Sequence, residues 1–136
     1  MINRLVRLIQ PLAGWLFIIW FVAIIILSLL PSVGKTTSID IGTIKIRLDY
    51  LYHIIIYLSG TFLAILYAVP SPKFPAKSRF VRILIAITFM ILLALLLEYI
   101  QKLIPSRTFN INDIISNLMG VLLGTVLTII LLRYRN

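Results

Sequence analysis

The chain has 136 residues, 61% of them hydrophobic and 12% charged, with a mean hydropathy of +1.09; soluble domains hold roughly 45–50% apolar residues, so a water-soluble globular fold is excluded. The net charge of +9 arises from 13 Lys and Arg against 4 Asp and Glu, but the short polar stretches leave no room for a folded basic domain, and nucleic acid is not an expected partner. With no cysteine in the chain, disulfides, thiolate metal sites and thiol nucleophiles are excluded too.

Four apolar runs predict helices at about 12–30, 50–69, 81–103 and 113–132. A hydrocarbon core of about 30 Å needs about 20 helical residues, and each run meets that length. The expected fold class is an all-α membrane protein, a four-helix transmembrane bundle forming a single domain over residues 1–136. The bases then sort by loop. Arg4, Arg7, Lys73, Lys77, Arg79, Arg82, Arg133 and Arg135 fall on one side without an acid, whereas Lys35, Lys45, Arg47, Lys102 and Arg107 share the other with all four acids. Eight bases against five predict cytoplasmic N and C termini.

The first run is bracketed by Pro11 and Pro31 and carries Trp15 and Trp20 but no ionisable group, as expected of an anchor and packing wall. Arg4 and Arg7 precede it as in a signal peptide. Its apolar core exceeds the usual 7–15 residues and a poor cleavage site follows, so an uncleaved helix is expected. Between Ser38 and Arg47 apolar and polar residues alternate around Ile41-Gly42-Thr43, which predicts a small hairpin or an interfacial segment.

The second run opens with Asp49, His53 and Tyr57 spaced four apart, so they share one helix face, with Gly60 close to it. For His53 three readings stand: a hydrogen-bonded packing residue, a group for ligand binding or proton transfer, or a metal ligand. A Pro-rich turn, Pro70 to Pro75, follows, with basic residues suited to anionic lipid. Near the end of the third run Glu98 and Gln101 share a face. Glu98 lies inside the bilayer, where an unpaired carboxylate costs something approaching 2.5–3.5 kcal/mol, so it needs a partner: Lys102 on its own helix or His53 on the next.

Arg107, the only Arg in the connection to the last run, suits bidentate contact with phosphate or carboxylate, or pairs with Glu98 or Asp113. Asp113 is placed as the N-cap of the fourth helix. Asn117, one turn inside, needs a partner across the bundle. Gly120 and Gly124 form a small-xxx-small stripe for close helix packing, within the bundle or in a dimer. His53, Glu98 and Asn117 thus fall at one depth on three helices, capped by Asp49, Gln101, Arg107 and Asp113. They describe a polar pocket open to the outer surface.

Asp49 to Tyr57 (D-x-x-x-H-x-x-x-Y), Glu98 to Gln101 (E-x-x-Q), and Arg107, Asp113, Asn117, Gly120 and Gly124 (R-x5-D-x3-N-x2-G-x3-G) resemble the VanZ-like family over residues 12–132, with Tyr50 where members often carry Lys. The resemblance implies a multi-pass protein of the bacterial cytoplasmic membrane with a role in glycopeptide (teicoplanin) resistance. Three functions compete. In the first, Asp49, His53, Tyr57, Glu98, Gln101, Arg107, Asp113 and Asn117 bind an anionic lipid headgroup, a lipid-linked cell-wall precursor or the antibiotic. In the second, an intramembrane enzyme uses His53, Glu98 and Asp113 as acid and base on an envelope lipid. In the third, the polar residues only lock the four helices together. No metal motif, phosphate loop or nucleophile motif is present in the sequence, so no metal or cofactor is expected, with membrane lipid as the general partner.

Overall fold

The structure, a computed structural model, describes residues 8–30, 38–41, 44–69, 75–105 and 109–133. A single 3-10 turn, Gln10–Leu12, leads into α1 (Ala13–Leu29). The strands β1 (Ser38–Ile41) and β2 (Ile44–Arg47) precede α2 (Leu48–Ala68), α3 (Ala76–Gln101) and α4 (Ile111–Arg133). All four helical segments are long and apolar enough to cross a membrane. The protein is therefore an all-α bundle of four candidate spans carrying one small hairpin. Large apolar side chains such as Trp15 (71% exposed) and Ile19 (65%) lie on its outer surface, where a bilayer accepts them as readily as a core would.

Period-two alternation in residues 38–47 produces the hairpin. Its strands pair antiparallel, with Ser38 opposite Arg47 and Ile41 opposite Ile44, and β2 runs directly into α2. The third helix starts at Ala76 rather than at 81. Pro75 fits its N-cap position, and nothing in Ala76-Lys77-Ser78-Arg79 breaks a helix. Lys77 and Arg79 consequently join Arg82 on the first turns of α3 instead of preceding the helix. Long basic side chains allow this because they reach from an apolar stem to a polar surface.

Helix α2 is the centre of the bundle, and its closest partner is α4. A Cβ on Gly120 would stand 2.5 Å from the Ile54 carbonyl oxygen, and one on Gly124 would stand 2.6 Å from that of Leu58. The glycine stripe therefore packs within the bundle, backbone against backbone. Around this seam Tyr57, Ile65, Met90, Leu93, Ala94 and Val121 form the main buried cluster.

Helix α1 docks on the other side of α2. Its Trp20 ring occupies the place where a Gly60 side chain would be, and the indole Nε1 donates to the Ile56 carbonyl at 3.1 Å. The same ring meets Tyr57 edge to face, with centroids 6.1 Å apart. Trp20→Phe should lose the hydrogen bond and part of the ring system packed on Gly60, lowering stability by about 1–3 kcal/mol. Gly60→Ala should cost a similar amount, because it displaces the ring. Thermal unfolding in detergent checks both, and equal melting of Gly60→Ala and wild type would contradict this account of how α1 docks.

One polar contact seals the far end of α2. Gln10 Nε2 donates to the carbonyls of Val69 at 2.7 Å and Leu66 at 3.3 Å. Those carbonyls lie at a helix C-terminus, where no further turn supplies donors. The contact joins residues 59 positions apart, so no local pattern announced it.

Candidate functional site

The polar residues gather where α2 and α4 begin and α3 ends. Local chemistry at the start of α4 arranges them. The helix begins at Ile111, two residues before the expected start at Asp113, and Asn110 rather than Asp113 occupies the cap. Asn110 Oδ1 accepts from the Asn112 amide at 3.1 Å, while its Nδ2 donates to Asp113 Oδ1 at 3.0 Å. Asn is among the best N-cap residues because its side-chain oxygen reaches the free amides of the first turn. Asp113 lies instead in the first turn, where the helix dipole favours a carboxylate. Its second oxygen faces α2.

His53 projects from α2 toward α4. Its Nδ1 stands 2.8 Å from Asn117 Oδ1. With the Asn117 amide turned this way its oxygen accepts, and Nδ1 is then the donor. In the neutral ring Nε2 then presents a lone pair, and it lies 4.0 Å from Asp113 Oδ2. That gap is too long for a direct hydrogen bond. It suits an inserted donor instead: a nitrogen at about 2.8 Å from both would subtend an angle of about 90°, so an ammonium or amide NH2, with two protons to give, could touch imidazole and carboxylate together. The His53 and Asp113 side chains are 23% and 15% exposed. The pair is thus sheltered but reachable.

Glu98 of α3 is almost fully buried, and its Oε1 accepts from the Asn110 backbone amide at 3.3 Å. Asn110 is not among the partners expected for Glu98 from the sequence, and the expected Arg107 lies outside the described residues. Polar contacts therefore join Glu98 to Asn110 and Asn110 to Asp113, and separately His53 to Asn117, with the 4.0 Å gap between His53 and Asp113 dividing the two groups. Of the residues expected to converge, His53 and Asn117 meet directly, and Glu98 and Asp113 share Asn110. Gln101 is buried in the last turn of α3, and Tyr57 is buried one turn below His53 against Trp20.

Asp49 belongs to a second, more exposed group. It accepts from Arg47 Nη2 at 2.7 Å, a contact that holds the guanidinium pKa above its ordinary value. Arg47 also lies over the Tyr50 ring, 5.0 Å from the centroid, and the Tyr50 hydroxyl accepts from Asn112 Nδ2 at 3.3 Å. This group ties the end of the hairpin to α4. Arg107 lies outside the described residues.

Asn110, Asn112, Tyr50 and Arg47 were not among the expected site residues. A signal for Asn110 existed: Asn110-Ile111-Asn112-Asp113 ahead of an apolar run is a helix-start pattern, and weight on Asp113 obscured it. Among the described residues no group of three His, Cys, Asp or Glu side chains is placed to hold a metal ion. Chemically, the arrangement offers one oriented imidazole with an available lone pair, one carboxylate across a gap of ligand size, and a buried carboxylate behind them.

Neither curated proteins nor solved structures include a significant match to the chain. The model of one family does match, over residues 11–132, a stretch that takes in all but the outermost residue of the first and last spans and every residue of the polar cluster. On that match the chain belongs to the VanZ/LLP1 family.

Proposed function

We propose that this membrane protein works in the bacterial cell envelope, where its polar cluster binds the hydrogen-bonding headgroup of an envelope lipid or a lipid-linked cell-wall precursor. The 4.0 Å separation of His53 Nε2 from Asp113 Oδ2 carries this reading, because it leaves both groups able to accept from the same ligand atom. The described acids favour hydroxyl, amide or ammonium groups over a purely anionic headgroup. Arg107 is assigned to the phosphate on sequence grounds, since guanidinium matches its geometry. The bias of basic residues toward the opposite end of the bundle supports placing the cluster in the outer leaflet of the cytoplasmic membrane, with both termini inside. A role in glycopeptide resistance, teicoplanin included, goes with the family resemblance.

The test is resistance in a susceptible bacterium that expresses the protein. Wild type should raise the teicoplanin concentration needed to stop growth. His53→Ala and Asp113→Asn should return it to the level of cells lacking the protein, with the amount in the membrane unchanged. Undiminished resistance in both variants would refute the site.

A second reading is favoured by the tautomer of His53. With Nδ1–H held by Asn117, Nε2 can take a proton from a ligand hydroxyl, and Asp113 would stabilise the resulting imidazolium. Mass spectrometry of lipid extracts decides between binding and catalysis. A modified envelope lipid that appears with wild type and vanishes with His53→Ala supports the enzyme, and an unchanged lipid profile supports binding alone.

A further inference from the structure

A cleft of about 850 Å³ opens between α1, α2 and α3 at the end of the bundle opposite the polar cluster. Small side chains create it. Ala64 and Ala68 on α2 face Ala86 on α3, so the helices leave a furrow where larger residues would have met. The furrow runs along α3 from Pro75 to Phe89, about 20 Å at 1.5 Å per residue. One leaflet of a hydrocarbon core about 30 Å thick is about 15 Å deep, so the furrow has the reach of an acyl chain. Its lining is almost wholly apolar, except that Lys77, Ser78 and Arg82 stand toward the end where α3 begins. Arg82 Nη1 donates to the Ala68 carbonyl at 3.4 Å, which holds the guanidinium over the C-terminal end of α2.

We propose that this cleft is a binding site for one anionic phospholipid of the leaflet opposite the polar cluster, with an acyl chain along Ala64, Ala68, Ala86 and Phe89 and the phosphate between Lys77 and Arg82. Both halves of the site match the two halves of such a lipid. A furrow lined by alanines accepts a flexible chain, and two cations at the head-group level favour a headgroup of net negative charge over one whose phosphate is offset by its own cation. The site is independent of the proposed outer function, because it shares no residue with the cluster around His53.

The full chain, purified in mild detergent and offered an equal mixture of phosphatidylglycerol and phosphatidylcholine, tests this by native mass spectrometry. One phosphatidylglycerol should be retained in preference to phosphatidylcholine. Lys77→Gln and Arg82→Gln, which alter exposed side chains and should leave folding intact, should each reduce that preference about fivefold. Ala68→Phe, which fills the furrow, should reduce retention of both lipids, with circular dichroism confirming that the variant is folded. Glycerol phosphate at millimolar concentration should not displace the lipid. Equal retention of the two lipids, an unchanged preference in both charge variants, or displacement by glycerol phosphate would overturn the proposal.

Discussion

Gly120→Val should destabilise the bundle by about 3 kcal/mol and abolish function with it. The added Cβ would meet the Ile54 carbonyl oxygen at 2.5 Å and the Tyr57 Cβ at 2.9 Å. The first of these is backbone held inside α2, so it cannot turn aside as a side-chain end could. The two helices must separate, and overpacking of a tight seam costs typically 1–3 kcal/mol, occasionally more. Separation also draws Asn117, three residues earlier on the same helix, away from His53. Leu123→Val is the control: Leu123 lies on the same helix but is exposed toward lipid, and its truncation should shift melting little. Thermal unfolding in detergent and resistance in cells are the two readouts. Equal melting of the two variants would show that the α2–α4 seam tolerates a side chain and that its close approach is not required.

The second large effect is expected at Glu98, where two substitutions separate structure from chemistry. Glu98→Leu removes the acceptor of the Asn110 amide. A buried donor left without its acceptor costs about 1–3 kcal/mol, and the loosened Asn110 no longer steadies Asp113. Melting should fall, and the proposed resistance should be lost with it. Glu98→Gln keeps an oxygen for the same amide and should change stability by less than about 1 kcal/mol. If Glu98 serves only to hold the connection between α3 and α4, Glu98→Gln retains resistance in full. If its charge serves the site, resistance falls although the protein melts normally. Wild-type melting of Glu98→Leu would contradict the anchoring role.

The apolar runs by themselves determined the four spans, because their length and lack of charge allow one solution in hydrocarbon, where a helix satisfies its own backbone. Alternation over residues 38–47 narrowed that segment to a hairpin or an interfacial stretch, between which the strand pairing decided, and four-residue spacing placed Asp49, His53 and Tyr57 on one face. Helix boundaries were less legible. Hydropathy cannot separate basic residues that ride on α3 from those in a loop, and two candidate caps three residues apart, Asn110 and Asp113, are chemically alike. Only the tertiary structure decided partners. Asn117 reaches His53 across 64 residues, Glu98 holds a backbone amide that carries no residue identity, and the glycine stripe lies against α2 instead of a second chain. Periodicity reports which side of a helix a residue occupies. What stands opposite depends on how the helices are rotated and how closely they approach, and here that depends on the absent side chains of Gly60, Gly120 and Gly124.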